Sequence, residues 1–360
     1  MKNILTISII LFALSSISFS QPDKEEAERI ALQGVEKCDH GFYDEAIRLF
    51  DEALLLDSGN FVYIYEKGYA YYMKKDFQTS IDIIEPLLNE DNSIDQFYQL
   101  VGNSYDNLGQ DEKALQVYNE GIEKFPNSGK LFLERGNFYY QNDNEWNAVD
   151  EWEKGIEVDP YFSSNYYNLT LFFSETEEEI WALLYGEIFM NLEKNTERTY
   201  EISKLLYDTY SNTIRIIDEN EISVSITKNV VYIEPGKPSV DKERFEMYYE
   251  IAVAESSIPL IKGFNLKNLY KTRKNFLKYW YDNRLNKDFS NSLINWQKEV
   301  LDKGFFKIYN YWLLSLGRVN EFEEWVSKNE NEFDKFAEWF VNNNIKLLKS
   351  TKYSRMHYHN

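Results

Sequence analysis

The chain has 360 residues, of which 43% are hydrophobic and 17% aromatic, so it can bury a core either as one long solenoid or as two domains. Residues 21–195 carry 37 acidic and 13 basic side chains. That excess of negative charge would repel a phosphate backbone and argues against nucleic acid as a partner.

Residues 1–20 have the pattern of an export signal. Lys2 precedes an apolar run from Ile4 to Leu14, and the small residues Ser18 and Ser20 follow it. The run is too short for a comfortable membrane span. We expect residues 1–20 to be removed, with no integral membrane span in the mature chain; an uncleaved N-terminal anchor is the alternative.

Cys38 is the one cysteine of the chain, so it cannot form an intramolecular disulfide. An exported protein with a single thiol is typical of a bacterial envelope rather than of a disulfide-built extracellular module. We therefore expect an exported protein, either periplasmic or secreted. We interpret Cys38 itself as a small hydrophobic side chain.

A pattern of small and bulky residues recurs with a period of about 34 residues, and a fixed period of this length is the mark of a repeat fold. Copies begin at Ala27, Phe61, Asp95, Gly129 and Ser163. The eighth place is glycine in the first four copies: Gly34, Gly68, Gly102 and Gly136. The twentieth place is small in all five: Ala46, Ser80, Ala114, Ala148 and Ala182. Small residues allow two helices per repeat to cross closely, and bulky residues fill the space around the contacts.

The ends of the copies and the fifth copy add two further observations. Pro126 and Pro160 end the third and fourth copies, and proline disfavours a helical residue before it. The fifth copy has Thr170 in place of the glycine, and Gly186 at the twenty-fourth place, where a large residue is expected. The fifth copy is therefore either a modified repeat or the start of a cap.

This pattern resembles the tetratricopeptide repeat, most specifically in the third and fourth copies. The resemblance covers about residues 25–195 and implies an all-α fold. It implies a right-handed superhelix of about five helical hairpins over residues 21–195. The first helices of such hairpins line a concave groove that commonly holds a peptide or a partner protein.

The segments after the array are predicted from their patterns. Residues 196–218 have helical spacing and are interpreted as a capping helix. Residues 219–240 are predicted as a β-hairpin or loop linker, because 222–226 alternates and 230–233 is β-prone. A C-terminal helical domain (241–343) and a flexible tail (344–360) follow. The helices expected in that domain are 241–256, 266–285, 290–302, 305–316, 319–328 and 330–343.

In tetratricopeptide arrays, the second, fifth, ninth and twelfth places of the first helix tend to face the groove. The partner-binding residues that this implies are Tyr65, Tyr69, Tyr72, Gln99, Asn103, Asn137, Tyr140 and Tyr167. Asparagine amides can pair with a peptide backbone, and tyrosines offer amphipathic contact area. The basic clamp that reads a free C-terminal carboxylate is not reproduced. The alternative is that these residues only pack and hydrate.

A second candidate surface is the basic stretch 262–287, which has eight basic residues, interleaved aromatic residues and Asp282 as its one acid. Such a stretch suits an anionic partner, which could be an acidic protein, an anionic glycan or a membrane surface. The simpler interpretation is that it docks against the acidic first half of its own chain.

The sequence shows no recognisable catalytic pattern. The three histidines are His40, His357 and His359, and none matches a family signature with a nucleophile or an acid. We expect no enzyme activity, no cofactor and no metal. The leading hypothesis is a non-enzymatic interaction scaffold or adaptor of the bacterial cell envelope. The alternatives are a glycan- or nutrient-binding envelope protein and, with less support, an enzyme with its site in the C-terminal helices.

Overall fold

The computed structural model describes residues 22–218, 221–227, 245–348 and 351–359, and these are mostly helical. Residues up to Ala114 form one compact unit, and residues from Leu115 onward form another. We call them the first unit and the second unit. The predicted signal at residues 1–20 lies outside the described residues.

The first half of the chain forms successive helices joined by short turns. These helices are α1 (Pro22–Asp39), α2 (Tyr43–Leu56), α3 (Phe61–Met73), α4 (Phe77–Ile84), α5 (Asp95–Asn107), α6 (Asp111–Lys124), α7 (Gly129–Gln141), α8 (Glu145–Val158), α9 (Ser163–Phe173) and α10 (Glu179–Leu192). The pairs α1–α2, α3–α4, α7–α8 and α9–α10 pack as hairpins. The all-α class and the helical-hairpin repeats predicted from the sequence are therefore confirmed.

The glycine of the eighth place lies against the bulky residue of the twenty-fourth place in the same hairpin. A Cβ added at Gly34 would lie 2.7 Å from a ring carbon of Phe50, and one added at Gly68 would lie 2.5 Å from a side-chain carbon of Ile84. A Cβ added at Gly136 would collide with the indole nitrogen of Trp152. No side chain fits in that space, so the repeat spacing reflects one recurring helix–helix contact.

The fifth repeat keeps this contact, but its glycine lies on the second helix and the larger residue lies on the first. A Cβ added at Gly186 of α10 would lie 2.9 Å from the Thr170 methyl group of α9 and 2.9 Å from Leu206. The glycine has moved from the first helix to the second, so the hairpin still closes. Residues Ile180–Asn191 of α10 are all buried, because later helices cover the side of α10 that solvent would otherwise reach.

A helix and a short pair of antiparallel strands follow the helical hairpins. Helix α11 (Glu197–Thr213) begins with a capping box in which Thr196 and Thr199 bond to each other's backbone N–H groups. Strand β1 (Ile214–Ile216) then pairs antiparallel with β2 (Ile222–Val224). The alternating segment thus pairs with the end of the predicted helix, and its expected partner at 230–233 lies outside the described residues.

The remaining helices are α12 (Phe245–Ser256), α13 (Leu266–Asp282), α14 (Leu285–Asp288), α15 (Ser292–Asp302), α16 (Phe306–Leu313), α17 (Val319–Lys328), α18 (Glu330–Val341) and α19 (Met356–His359). Six of these later helices lie within a few residues of the predicted ones, whereas the two short helices α14 and α19 were not predicted. Their aromatic and aliphatic side chains join those of α8–α11 in one large core. Within the described ranges, no helix combines the length and apolarity that a membrane crossing requires.

The tail expected to be flexible from residue 344 is packed over the part that the structure describes. Ile345, Leu347 and Tyr353 are buried. The Lys352 carbonyl accepts a hydrogen bond from Ser292 N at 2.8 Å, and the Tyr358 ring stacks on Phe245 with centroids 4.1 Å apart. The tail has the basic residues Lys346, Lys349, Lys352 and Arg355, which favour a solvated end, but its apolar side chains are buried and stabilise the packed arrangement.

Candidate functional site: a tyrosine face in the first unit

Three tyrosines of α3 form a continuous row of rings. Tyr65, Tyr69 and Tyr72 are four and three residues apart, so they lie on one side of the helix. The Tyr65 and Tyr69 ring centroids are 6.3 Å apart at an interplanar angle of 17°, and those of Tyr69 and Tyr72 are 6.4 Å apart at 19°. All three side chains are half-buried. We call this row the tyrosine face.

Neighbouring side chains fix both ends of the tyrosine face. The Phe97 ring of α5 lies 5.9 Å from Tyr65, and the Phe77 ring of α4 lies 5.3 Å from Tyr72. The Tyr72 hydroxyl accepts a hydrogen bond from Asn107 Nδ2 at 3.3 Å, and the same nitrogen donates to the Asn103 carbonyl at 2.7 Å. The rings are therefore held in position before any partner binds.

Carboxyl groups border the tyrosine face on the side of α1. Glu66 is half-buried, and burial together with the nearby charge of Asp39 raises its pKa to about 7. Burial, with smaller contributions from Cys38, Glu66 and Asp39, raises the pKa of Tyr69 to about 12. Burial and the same two carboxyl groups raise the pKa of the Cys38 thiol to about 12. Glu66 and Asp39 therefore both act on Tyr69, and Cys38 stays a neutral thiol near pH 7.

Several lysines of the first unit form ion pairs with acidic residues of α2 rather than with Glu66 or Asp39. The ion pairs are Lys37–Glu45 at 2.7 Å, Lys67–Asp51 at 2.7 Å and Lys74–Asp44 at 2.6 Å. Each of these lysines neutralises a carboxylate on the second helix of the first hairpin. The negative charge beside the tyrosine face is therefore not neutralised by these three lysines.

The eight residues predicted to line one groove are divided between the two units. Tyr65, Tyr69, Tyr72, Gln99 and Asn103 belong to the first unit, whereas Asn137, Tyr140 and Tyr167 belong to the second. The structure brings the three α3 tyrosines together by ring contacts. Gln99 and Asn103 are half-buried on α5.

The second-unit residues largely contact other side chains of the second unit. The Asn137 side-chain oxygen accepts hydrogen bonds from Trp152 Nε1 at 3.3 Å and from Asn168 Nδ2 at 2.6 Å. The Tyr167 hydroxyl donates to Glu201 at 2.7 Å. Tyr140 is exposed, with its ring 5.7 Å from Trp152. The Asn137 side-chain oxygen is therefore already hydrogen-bonded to two side chains of the second unit.

Several residues beside the tyrosine face were not predicted as site residues. They are Asp39, Glu66, Phe77, Phe97 and Asn107. The sequence held a signal for Glu66, because it lies three residues before Tyr69 and so shares an edge of the helix with it. Asp39 and Asn107 come from neighbouring helices, and only the packing of hairpins brings them close to α3.

The basic stretch 262–287 is divided between core and surface in the structure. Arg273 is buried and forms an ion pair with Glu187, which lies in the acidic first half of the chain. Lys267, Lys271, Lys274 and Lys278 are exposed along one side of α13. Arg273, one of the eight basic residues, thus pairs with an acid of the same chain, as the simpler interpretation expects. The four lysines form an exposed stripe on α13.

A serine and a histidine of the tail meet a glutamate of α8, but their geometry does not suit nucleophilic catalysis. Ser354 Oγ lies 3.0 Å from His357 Nδ1, and His357 Nε2 lies 3.1 Å from Glu157 Oε1. Ser354 is fully buried, and its hydroxyl donates directly to Glu157 at 2.7 Å. A nucleophile needs access to a substrate and a base that takes its proton. The trio instead ties the tail to α8.

A second buried cluster surrounds Glu187 of α10. Its carboxylate accepts hydrogen bonds from Arg273, from Gln297 at 2.9 Å and from the Tyr309 hydroxyl at 2.9 Å. The cavity beside Arg273 leaves about 10 Å³ for the centre of a water-sized molecule. That space suits one water and is too small for a peptide or a sugar.

One segment of the chain matches a known protein family. Residues 95–127 match the family model of the tetratricopeptide repeat. No curated protein sequence matches the chain.

Three solved structures are similar to part of this chain. A thermophilic TPR protein of Thermus thermophilus, TTC0263, is 17% identical over 50% of this chain and 98% of its own, with a TM-score of 0.43. Pseudomonas aeruginosa pilF is 14% identical over 53% and 87%, with a TM-score of 0.42. A MamA protein is 19% identical over 47% and 92%, with a TM-score of 0.35. Similarity at these identities and TM-scores does not indicate a shared function.

The matched segment coincides with the third copy of the repeat pattern and with helices α5 and α6. Hairpins of the same period precede and follow it along the chain. The chain therefore contains a tetratricopeptide repeat at residues 95–127.

Proposed function

We propose that this chain is a non-enzymatic interaction protein that binds an extended segment of a partner protein on its tyrosine face. The observation that carries the proposal is the row of three stacked rings on α3, held at both ends by Phe97 and Phe77. Half-buried tyrosines combine apolar contact area with a hydroxyl group, and both are used in partner recognition.

The rigidity of the rings also supports binding. A side chain that is ordered only on association costs entropy at that step, whereas a ring already fixed by its neighbours loses little. Gln99 and Asn103, which are half-buried on the neighbouring helix α5, carry amide groups that can pair with a peptide backbone. The family resemblance adds weight, because tetratricopeptide hairpins commonly hold peptides with their first helices.

The test is a selection of peptides on the purified chain. A random dodecapeptide library is bound to the native chain, and the enriched peptides are measured again on Tyr65→Ala/Tyr69→Ala. We expect the double substitution to weaken them about tenfold or more, because it removes two of the three rings. Tyr200→Ala, at an exposed tyrosine of α11, is the matched control and should leave affinity unchanged. Equal binding by all three proteins would refute the proposal.

We also propose export to the bacterial envelope, on the basis of the apolar run at residues 4–14. N-terminal sequencing of the protein purified from cells would test it. The expected start lies close to Gln21. A start at Met1 in a cytosolic fraction would contradict it.

A glycan-binding function is the second candidate, and the same ring row favours it. A row of half-buried aromatic rings offers apolar contact area that a sugar could also use. A glycan array probed with the native chain and with Tyr65→Ala/Tyr69→Ala separates the two functions. Glycan binding that is lost in Tyr65→Ala/Tyr69→Ala, together with peptide binding that is unchanged in that variant, would support the glycan-binding function.

A further inference from the structure

We propose that the tyrosine face accepts a lysine or arginine side chain of the bound segment, so that the partner of this chain is a basic peptide region. This inference rests on the function proposed above and names the chemistry of the partner. It combines two features of the first unit, which are the row of half-buried rings and the carboxyl groups that border it.

The rings provide the first half of the argument. A cation over the face of an aromatic ring within about 6 Å of its centroid is attracted by the ring quadrupole. Tyr65, Tyr69 and Tyr72 lie in near-parallel orientations with centroids 6.3 and 6.4 Å apart. An extended lysine or arginine side chain lying along this row would meet more than one ring. Its aliphatic part would also gain apolar contact.

The carboxyl groups provide the second half. Glu66 and Asp39 both act electrostatically on the Tyr69 hydroxyl, and Glu66 also acts on that of Tyr65. Nearby Lys37, Lys67 and Lys74 are engaged with Glu45, Asp51 and Asp44 on α2, as described above. An incoming cation would therefore meet the negative charge of Glu66 and Asp39, and an incoming carboxylate would be repelled by it.

Glu66 makes the interaction dependent on pH. The groups that face it are Asp39 and Cys38 on α1 and the tyrosines of its own helix. The pKa of Glu66 is raised to about 7 by burial and by Asp39. A bound cation favours the charged carboxylate, so binding releases protons from Glu66. Affinity for a basic peptide should then increase as pH rises from about 6 to about 8.

The experiment uses the full chain and three fluorescein-labelled peptides of equal length, in which glycine alternates with lysine, glutamine or glutamate. Fluorescence anisotropy gives each affinity at about 0.15 M salt. The variants are Tyr65→Ala/Tyr69→Ala and Glu66→Gln. The matched control for the overall negative charge is Glu52→Gln, because Glu52 lies exposed on α2 and carries the same charge.

We expect the lysine peptide to bind most tightly. Glu66→Gln should weaken it about fivefold at pH 8 and remove most of its pH dependence, whereas Glu52→Gln should change little. Circular dichroism checks that each variant is folded. If Tyr65→Ala/Tyr69→Ala does not fold, Glu66→Gln with its control still decides the question, since it removes the charge at nearly constant shape.

The other outcomes are distinguishable. Ring-dependent binding that is equal for the lysine, glutamine and glutamate peptides would refute the basic-partner inference and leave the proposed function standing. A lysine peptide that responds equally to Glu66→Gln and Glu52→Gln would show attraction by net charge alone, which also refutes the inference. If the selected dodecapeptides and the three defined peptides are all unaffected by the tyrosine substitutions, both proposals fall.

Discussion

Gly136 shows how one residue sets the distance between two helices. It lies on α7 where the Trp152 indole of α8 crosses, and an added Cβ would collide with Trp152 Nε1 and lie 3.2 Å from the Ala148 carbonyl oxygen. The carbonyl belongs to the backbone and cannot rotate away. The indole is buried among core side chains and has little room to move.

We predict that Gly136→Ala lowers the free energy of unfolding by about 1–3 kcal/mol, because the extra methyl group overpacks the crossing. The gain in helix propensity from alanine is smaller than this cost. Urea unfolding measures the difference. Gln141→Ala, at an exposed position near the end of the same helix, is the control and should stay within about 0.5 kcal/mol. A Gly136→Ala protein as stable as its parent would contradict this explanation of the glycine column.

Glu187 and Arg273 form a buried ion pair, and each is almost fully enclosed. Burial lowers the pKa of Arg273, but the charge and hydrogen bond of Glu187, together with the nearby Tyr210 and Tyr309, outweigh burial and raise that pKa overall. Gln297 and Tyr309 donate the remaining hydrogen bonds to the carboxylate. Removing one charge would therefore leave the other in a site of low polarity.

We predict that Glu187→Gln costs about 3–5 kcal/mol of unfolding free energy, because Arg273 would stay buried and uncompensated. Chemical denaturation at pH 7 measures it. Asp282→Asn provides the comparison, since its partner Lys278 is exposed and the pair contributes little. Similar stability of the two variants would contradict the role assigned to the buried pair.

At the scale of elements, the C-terminal tail acts as a strap across α8 and α10. Arg355 binds the fully buried carboxylate of Glu153 through two hydrogen bonds, of 3.0 Å from Nε and 2.9 Å from Nη2. The Tyr185 hydroxyl donates to the same carboxylate at 2.8 Å and accepts a hydrogen bond from Arg355 N at 2.8 Å. The end of the chain thus compensates a charge buried in the fourth repeat.

We predict that Arg355→Met destabilises the chain by about 3–5 kcal/mol at pH 7, because Glu153 would lose its cation. Adding Glu153→Gln should recover part of that loss, as urea unfolding of the double variant would show. A double variant no more stable than Arg355→Met would mean that the strap acts through packing alone.

The loss should also depend on pH. Burial raises the pKa of Glu153, and Arg355 partly opposes that shift. A carboxyl group with a raised pKa in the folded state favours folding below its unfolded pKa, near 4.5, and loses that contribution as pH rises through its folded pKa. Without Arg355 the pKa of Glu153 rises further, so the deficit of Arg355→Met should be larger at pH 7 than at pH 4.5. Equal deficits would contradict this assignment.

These elements show what the sequence could and could not predict. The repeat period predicted the hairpins because it records a contact within each hairpin, as Gly68 and Ile84 illustrate. The exchange of sizes between Thr170 and Gly186 was visible as a departure, but its meaning needed the structure. The packing of the tail was not predicted, because its hydrogen-bond partners are distant along the chain, as Glu153 is from Arg355. A local sequence pattern does not reveal such partners.

The same limit applies to the candidate site. The repeat frame predicted Tyr65, Tyr69 and Tyr72 on one side of α3, and the structure places their rings in one row. The engagement of Asn137 by Trp152 and Asn168 could not be predicted, since it depends on how side chains of neighbouring helices turn. Periodicity fixes which side of a helix a residue occupies, but not what it bonds to.

At the scale of the whole molecule, the net charge of −21 is the dominant property. Like charges repel within a folded chain, and salt screens them over about 10 Å at 0.1 M. We predict that the thermal midpoint rises by a few degrees when NaCl is raised from about 0.02 M to about 0.5 M. Differential scanning fluorimetry measures it. A midpoint that falls with salt would mean that attractive ion pairs such as Lys37–Glu45 outweigh the repulsion.

The central claim is that the tyrosine face of the first unit is where a partner binds. The most direct measurement is photo-crosslinking, with benzoylphenylalanine in place of Tyr69 or, as the control, of Tyr200. A dodecapeptide selected on the native chain is added, and mass spectrometry identifies the crosslinked protein. The account predicts a crosslink from position 69 and none from position 200. A crosslink from position 200 with none from position 69 would contradict it.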